Sequence, residues 1–465
     1  MTDFASLLQA DRGGTAHPIH LVDKDGFADW LKKQSAARRD LLAANRFEAK
    51  SPFQFAILPA VHGHDWAVVA TVAKVAELSP WCLARLAEAL PEGSYRLAEG
   101  EAGPAMLGWL LGQHRLDTYK SKVDDQRGPR VLLTKDAAGI DRIIRLAEAT
   151  VLVRDLVDTP AADMGPAELE AAARDLAKSF GAKIEVTSGD ALAQGYPMIA
   201  AVGQGATRER APRLIELQWG MDSAPKLAII GKGVSFDSGG LDIKSAAGMR
   251  LMKKDMGGAA HALALARLVM AEALPVRLHL LIPAVENSVS ASSYRPGDVL
   301  GSRKGLKVEI DNTDAEGRLI LGDALAKAGE HEPELVIDFA TLTGAARVAL
   351  GPDLPAMFAN DDDLAASLEG AAKTVTDPIW RMPLWDGYDE MLKSDLADLA
   401  NSAESPLAGA VTAALFLRRF VPEGTPWAHF DTFAWRPSAK PGRPKGGDAM
   451  GLRAAFAMLQ QRYST

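Results

Sequence analysis

The chain has 465 residues, more than a single compact core usually organises, which points to two or three domains. Hydrophobic residues at 48% and charged residues at 24% give the balance of a soluble globular enzyme. The formal net charge of -8 argues against a surface built to grip phosphate backbones; the single cysteine, Cys82, excludes a disulfide framework and a thiolate zinc site and fits a reducing compartment.

The opening Met1-Thr2-Asp3-Phe4 has no basic segment followed by an apolar one, and no stretch reaches the roughly 18–20 apolar residues that span a bilayer. The expectation is a cytoplasmic protein without a membrane partner. Residues 1–140 carry short apolar runs, Phe55–Leu58 and Trp66–Val72, and a helix-face spacing at Leu83, Leu86 and Leu90, which predict a small N-terminal α/β domain. Cys82, in the apolar run after Pro80-Trp81, reads as a small buried hydrophobe. His62 and His64 would share a face on a strand, yet a loop or core role suits them better than a metal site. The charged stretch Asp117–Arg130 predicts a loop. A helix follows over about Asp136–Leu156, with Ile140, Ile143, Ile144, Leu146 and Val151 on compatible faces and Pro160 at its end. Residues 141–160 are the expected connection between domains.

Residues 161–465 read as a larger domain. Pro166–Phe180 has the pattern of an amphipathic helix and Lys183–Val186 that of a short strand. The apolar runs Leu227–Ile230, Leu278–Ile282 and Leu335–Asp338 resemble buried strands, and the helical segments Gly257–Leu274 and Glu316–Gly329 lie between them. This alternation predicts an α/β fold with a mostly parallel central sheet covered by helices, binding its ligand beyond the carboxyl ends of the strands. The stretch Pro437–Gly447 predicts a loop.

Three segments that follow predicted strands or open helices are rich in acids and cations. The first runs from Gly231-Lys232-Gly233 through Asp237 and Gly239-Gly240 to Asp242 and Lys244; the second is Met252–Ala260, with Asp255; the third is Asp311–Leu319. Alone, Asp255 reads as a helix N-cap and Glu316 as a first-turn glutamate. Gly231-Lys232-Gly233 lacks the third glycine of a dinucleotide fingerprint. Taken together, carboxylates at strand ends without cysteine suit divalent cations, and bridging carboxylates can hold two of them about 3.5–4 Å apart. Neither a His-Glu-x-x-His pair nor a Gly-x-Ser-x-Gly elbow occurs. His261 reads as a packing or supporting residue, and Trp380, Trp385 and Trp435 as core or interface aromatics.

The octapeptide Asn312-Thr313-Asp314-Ala315-Glu316-Gly317-Arg318-Leu319 resembles the signature of the leucyl aminopeptidase (cytosol aminopeptidase) family, bacterial type. A given octapeptide arises by chance on the order of once in tens of millions of such chains. Gly231–Lys244, Met252–Ala260, Ala340–Ala345, Asp163–Pro166 and Ala408–Ala414 resemble further family blocks in the family's order. The resemblance covers about residues 145–465 and is loose before that, around Gly108-Trp109 and Asp117–Lys120.

The resemblance implies an aminopeptidase that releases leucine-like and other N-terminal residues from peptides with a free N-terminus. It implies two divalent cations, zinc or manganese with magnesium or cobalt possible, on Lys232, Asp237, Asp255, Asp314 and Glu316. Asp237 and Glu316 would bridge both, Asp314 would complete one site, and Lys232 with Asp255 the other. A metal-activated water would attack the carbonyl, Lys244 would stabilise the oxyanion, and Arg318 would anchor a bicarbonate serving as general base. Met252, Asn312, Thr341, Leu342 and Gly344 would contact the substrate, and the assembly would be a homohexamer. Carboxylate geometry alone also permits a two-metal phosphoesterase. A scaffold or DNA-binding protein with secondary peptidase activity is the third reading, weakened by the net acidity and by the full set of ligands and cations.

Overall fold

The computed structural model describes residues 2–60, 66–121 and 128–464; His62 and His64 lie outside the described residues. The chain divides into two compact units, residues 1–151 with 438–445, and residues 152–437 with 446–465.

The first unit is built on six strands, β1 (Leu8–Ala10), β2 (His17–Val22), β3 (Phe55–Leu58), β4 (Ala67–Thr71), β5 (Gly93–Leu97) and β6 (Arg130–Thr134). They lie in the order β1-β6-β5-β2-β4-β3, and only β3 and β4 pair antiparallel. Leu83, Leu86 and Leu90 are buried beside the helix Ala84–Ala89, as their spacing requires, and Cys82 is a buried free thiol. The helix Ala105–Leu111 is buried along its length. Its Gly108 meets the Pro80 carbonyl so closely that a Cβ would lie 2.3 Å from that oxygen, and Trp109 donates from Nε1 to the Arg130 carbonyl at 2.9 Å.

Helix α1 (Ile140–Asp158) contains the division between the units, at Val151/Leu152. It starts four residues later than the periodicity suggests, because Asp136 closes a turn by accepting the Gly139 N–H at 3.0 Å.

The second unit carries a nine-stranded sheet from β7 (Lys183–Ser188), β8 (Arg213–Trp219), β9 (Lys226–Gly231), β10 (Gly233–Asp237), β11 (Arg277–Asn287), β14 (Leu335–Ala340), β15 (Ala356–Ala359), β16 (Trp380–Arg381) and β18 (Trp427–Asp431). A smaller sheet joins β12 (Val299–Gly301), β13 (Lys307–Glu309) and β17 (Leu399–Ala400), and β19 (Trp435–Arg436) pairs with β20 (Gly446–Gly447). The large sheet runs β16-β15-β18-β14-β9-β11-β8-β7, with β10 also on β11. Its centre, β18-β14-β9-β11, is parallel, and β8, β7 and β15 are antiparallel to their inner neighbours. The central strands are largely apolar and buried on both faces because helices cover them: α2 (Pro166–Phe180), α3 (Gly257–Ala271) and α4 (Glu316–Gly329). Helix α3 packs tightly at its start, where a Cβ on Gly258 would lie 2.2 Å from the Phe339 carbonyl oxygen. This is the α/β fold with a mostly parallel, helix-covered sheet that the alternating pattern predicts. No described helix is long and apolar enough to cross a membrane.

Candidate active site

All the residues singled out from the sequence as ligands, catalytic groups or substrate contacts line one cleft of the second unit, about 530 Å³ in volume. Three chain segments build it. The first is the passage from β9 to β10. Both strands pair with β11, and the break between them falls at Lys232, whose N–H donates to the Phe339 carbonyl at 3.0 Å and whose carbonyl accepts from Ala259 at 2.8 Å. The register then shifts between Val234 and Asp237, an irregularity of the kind that re-aims a side chain. Gly239 and Gly240 follow with φ of +88° and +63°, a left-handed pair that turns the chain back toward Lys244.

The second segment is the 3₁₀ turn Met252–Met256 ahead of α3. Asp255 does not cap α3; its carboxylate turns inward, and Oδ1 accepts from Thr341 Oγ1 at 2.8 Å. The third segment, Asn312–Arg318, leads into α4 from the small sheet rather than from the central one, since β13 belongs there. Thr313 fastens it to the first segment: its Oγ1 donates to the Gly239 carbonyl at 2.7 Å, and its N–H donates to Asp242 Oδ2 at 2.7 Å. Asn401 holds the same segment, accepting from the Asp311 and Asn312 N–H groups on Oδ1.

The buried acids are interleaved with ammonium groups. Lys232 Nζ stands 2.6 Å from Asp255 Oδ2 and 2.9 Å from Glu316 Oε1. Lys244 Nζ stands 2.9 Å from Asp237 Oδ2 and also pairs with Asp314. One oxygen each of Asp237, Asp255 and Glu316 lies within 4.8 Å of the others. Burial and then the Asp237 charge push the Glu316 carboxyl up to about 8 and that of Asp314 up to about 6. Burial works against the Lys232 ammonium, but the charges of Asp255, Glu316 and Asp237 outweigh it and raise its pKa. Arg318 is buried, donates from Nη1 to the Asn401 carbonyl at 2.7 Å, and is lowered to about 10 by burial.

This set fits divalent cations. The carboxylates crowd together with only lysine ammonium groups between them, and buried Glu316 Oε2 takes no hydrogen bond from any described residue. A small, highly charged ion between such oxygens satisfies what the lysines meet only in part.

Sequence reasoning missed the supporting residues. Asn287 Nδ2 donates to Asp237 Oδ1 at 2.9 Å and to the Thr313 carbonyl at 3.1 Å; the Tyr294 hydroxyl donates to that same carbonyl at 2.6 Å. Asp431, at the end of β18, accepts the N–H groups of Leu342 and Thr343. Lys254, half of a basic pair that the sequence suggests as a solvated face, is instead buried against Asp255 and the Phe433 ring. Asn287 and Asp431 stand at the ends of β11 and β18, whereas Tyr294 and Lys254 lie outside the strands, where no sequence pattern marks them. His261 is a packing residue: its Nδ1 lies 2.7 Å from the Gly257 carbonyl and its Nε2 accepts the Met450 N–H. Trp435 is buried, whereas Trp380 and Trp385 are more than half exposed.

Comparison with known proteins identifies the family. Residues 151–456 match the cytosol aminopeptidase family, catalytic domain, and residues 17–128 match the M17 aminopeptidase N-terminal domain. A probable cytosol aminopeptidase of Syntrophotalea carbinolica is 42% identical over 370 residues, covering 76% of this chain and 74% of its own. One from Xanthobacter autotrophicus is 37% identical over 463 residues, 93% of this chain and 92% of its own. The crystal structure of a cytosol aminopeptidase from Coxiella burnetii superposes with a TM-score of 0.92 at 45% identity, covering 99% of this chain and 100% of that one. The bottromycin maturation enzyme BotP in complex with Mn superposes at 0.86 with 30% identity, over 97% and 100%. The chain belongs to the cytosol aminopeptidase family and is a metal-dependent aminopeptidase acting on peptides.

Proposed function

We propose that the enzyme removes leucine-like and other N-terminal residues using two divalent cations, zinc or manganese, with magnesium or cobalt as substitutes. Lys232, Asp237, Asp255, Asp314 and Glu316 would hold them, with Asp237 and Glu316 shared between the two. Once bound, the cations supply Lewis acidity to the scissile carbonyl and lower the pKa of a water. The protein's part is to position and to neutralise charge. Lys244 is placed to donate to the oxyanion as it forms; Arg318, its guanidinium sequestered from bulk water, would anchor a bicarbonate able to supply a general base. Lysine ligates only as a neutral amine, so Lys232 would have to be deprotonated to serve as a ligand. Met252, Asn312, Thr341, Leu342 and Gly344 hold the first residue of the peptide, and the assembly is a cytoplasmic homohexamer. The BotP complex makes manganese a reasonable occupant.

The observation that carries this reading is the convergence of Asp237, Asp255 and Glu316 within 4.8 Å around the Lys232 ammonium. The test is hydrolysis of leucine p-nitroanilide by metal-reconstituted wild type and Glu316→Ala, with a phosphate monoester alongside. Equal, robust rates in the two proteins would sink the mechanism; cleavage of the phosphate monoester in preference to the anilide would favour a phosphoesterase.

A further inference from the structure

Glu216, His279 and His331 form a second group of metal-ligating side chains in the same unit, at the end of the sheet away from the cleft. Strands β8 and β11 pair antiparallel with Glu216 opposite Leu281 and Gln218 opposite His279. Glu216 and His279 are therefore diagonal neighbours on one face. His331 stands in the turn that ends α4, its N–H donating to the Ala328 carbonyl at 3.1 Å. One oxygen of Glu216 and one ring nitrogen of each histidine lie within 4.8 Å of one another. His279 Nε2 is 2.8 Å from Glu216 Oε2, and the two imidazoles meet edge to face with centroids 4.5 Å apart.

Two buried ring nitrogens of this group, His279 Nδ1 and His331 Nε2, have no hydrogen-bond partner among the described residues. Buried polar atoms are normally satisfied, so two in one cluster call for a ligand. A cavity of about 160 Å³ beside His279 and His331 has room for water.

The geometry points to a third cation site, in which Glu216, His279 and His331 bind one borderline divalent cation of the zinc class with a water as fourth ligand. Two imidazoles and a carboxylate are a donor set zinc takes with one position left open, whereas magnesium favours all-oxygen sites. Ligand atoms about 2.1 Å from a tetrahedral ion lie roughly 3.4 Å apart, so an ion here would part the 2.8 Å His279–Glu216 contact slightly and draw the other ligand atoms, within 4.8 Å, closer. Helix α4 has Glu316 as its first residue and His331 just beyond its end, a span of about 21 Å for its 14 residues. The third ion would pin the far end of the helix that supplies a carboxylate to the active cleft.

The test is anomalous diffraction from crystals of the full chain soaked in zinc chloride, with data on both sides of the zinc edge. We expect a peak among the three side chains in wild type. In His331→Ala that peak is lost while zinc in the cleft persists, and zinc per chain falls by one equivalent. Glu216→Gln, which keeps shape and removes charge, should lose the same peak. No peak at a zinc concentration that fills the cleft overturns the site, as does unchanged zinc content in both variants. A peak here with a zinc-free cleft would instead count against the two-metal reading and leave this site standing.

Discussion

Lys244 reaches the cleft already paired with Asp237 and Asp314, so its ammonium is anchored before any substrate arrives. A donor fixed in this way acts on developing charge and contributes little to ground-state binding. Lys244→Ala should lower kcat by about 10²–10³-fold with KM little changed, as steady-state kinetics would register. Asn287 touches Asp237 rather than substrate, and Asn287→Ala should weaken metal binding by about 10–100-fold in a calorimetric titration. The proton on Glu316 sets a further expectation. Its carboxyl is raised to about 8 in the metal-free cleft, and Lys232 is raised as well, so metal must displace protons from both. Metal affinity should therefore climb from pH 6 to 8, with net proton release measurable in buffers of different ionisation enthalpy; affinity that is flat with pH would contradict this. These residues differ in how readable they are from sequence. Asp314, Glu316 and Arg318 sit in one octapeptide, and a short motif carries its own context. Asn287 and Asp431 sit at the ends of ordinary apolar strands, and nothing local marks a polar residue there as reaching a ligand across the sheet.

At the scale of elements, α2 is legible because one stripe of it is buried and the rest faces water, and α4 because most of it is buried: both begin and end where the apolar pattern and the flanking glycines place them. What the pattern could not supply was pairing. β13, just ahead of the octapeptide, pairs in the small sheet rather than the central one, since pairing depends on distant partners that periodicity does not encode. Gly317 joins the two levels. A Cβ there would lie 2.6–2.8 Å from Lys232 Cδ, Cε and Nζ, so the glycine of the octapeptide makes the space that Lys232 occupies. Gly317→Ala should fold, because the colliding atoms end a flexible side chain, but it should push Lys232 aside and cut metal occupancy. Circular dichroism unchanged from wild type together with lowered metal content is the expected pair of results.

At the scale of the whole molecule, Asp448 ties distant parts of the second unit together. Its Oδ1 accepts from Arg154 of α1 at 2.9 Å, and its Oδ2 accepts from Arg436 of β19 at 2.7 and 2.9 Å, all three side chains being buried. Burial opposes its charge, but the two guanidinium groups outweigh that and hold the carboxyl below the ordinary 3.8. A carboxyl depressed in the folded state contributes stability that is complete above its unfolded pKa and is lost as pH falls through the folded one. Unfolding in urea should therefore show Asp448→Ala to be less stable by about 3–5 kcal/mol at pH 7, the deficit narrowing as pH falls below about 4.

The ligand segments, spread from Lys232 to Glu316, are brought together by strands β9, β11 and β14, which pair across long stretches of chain. Such non-local pairing is slow to form, and we expect the site to be completed after the folding transition state. Metal has little to hold in the transition state for folding, and its binding energy accrues to the native state alone. Adding metal should thus leave the refolding rate nearly unchanged and slow unfolding instead, so that the loaded enzyme gains lifetime rather than speed of assembly.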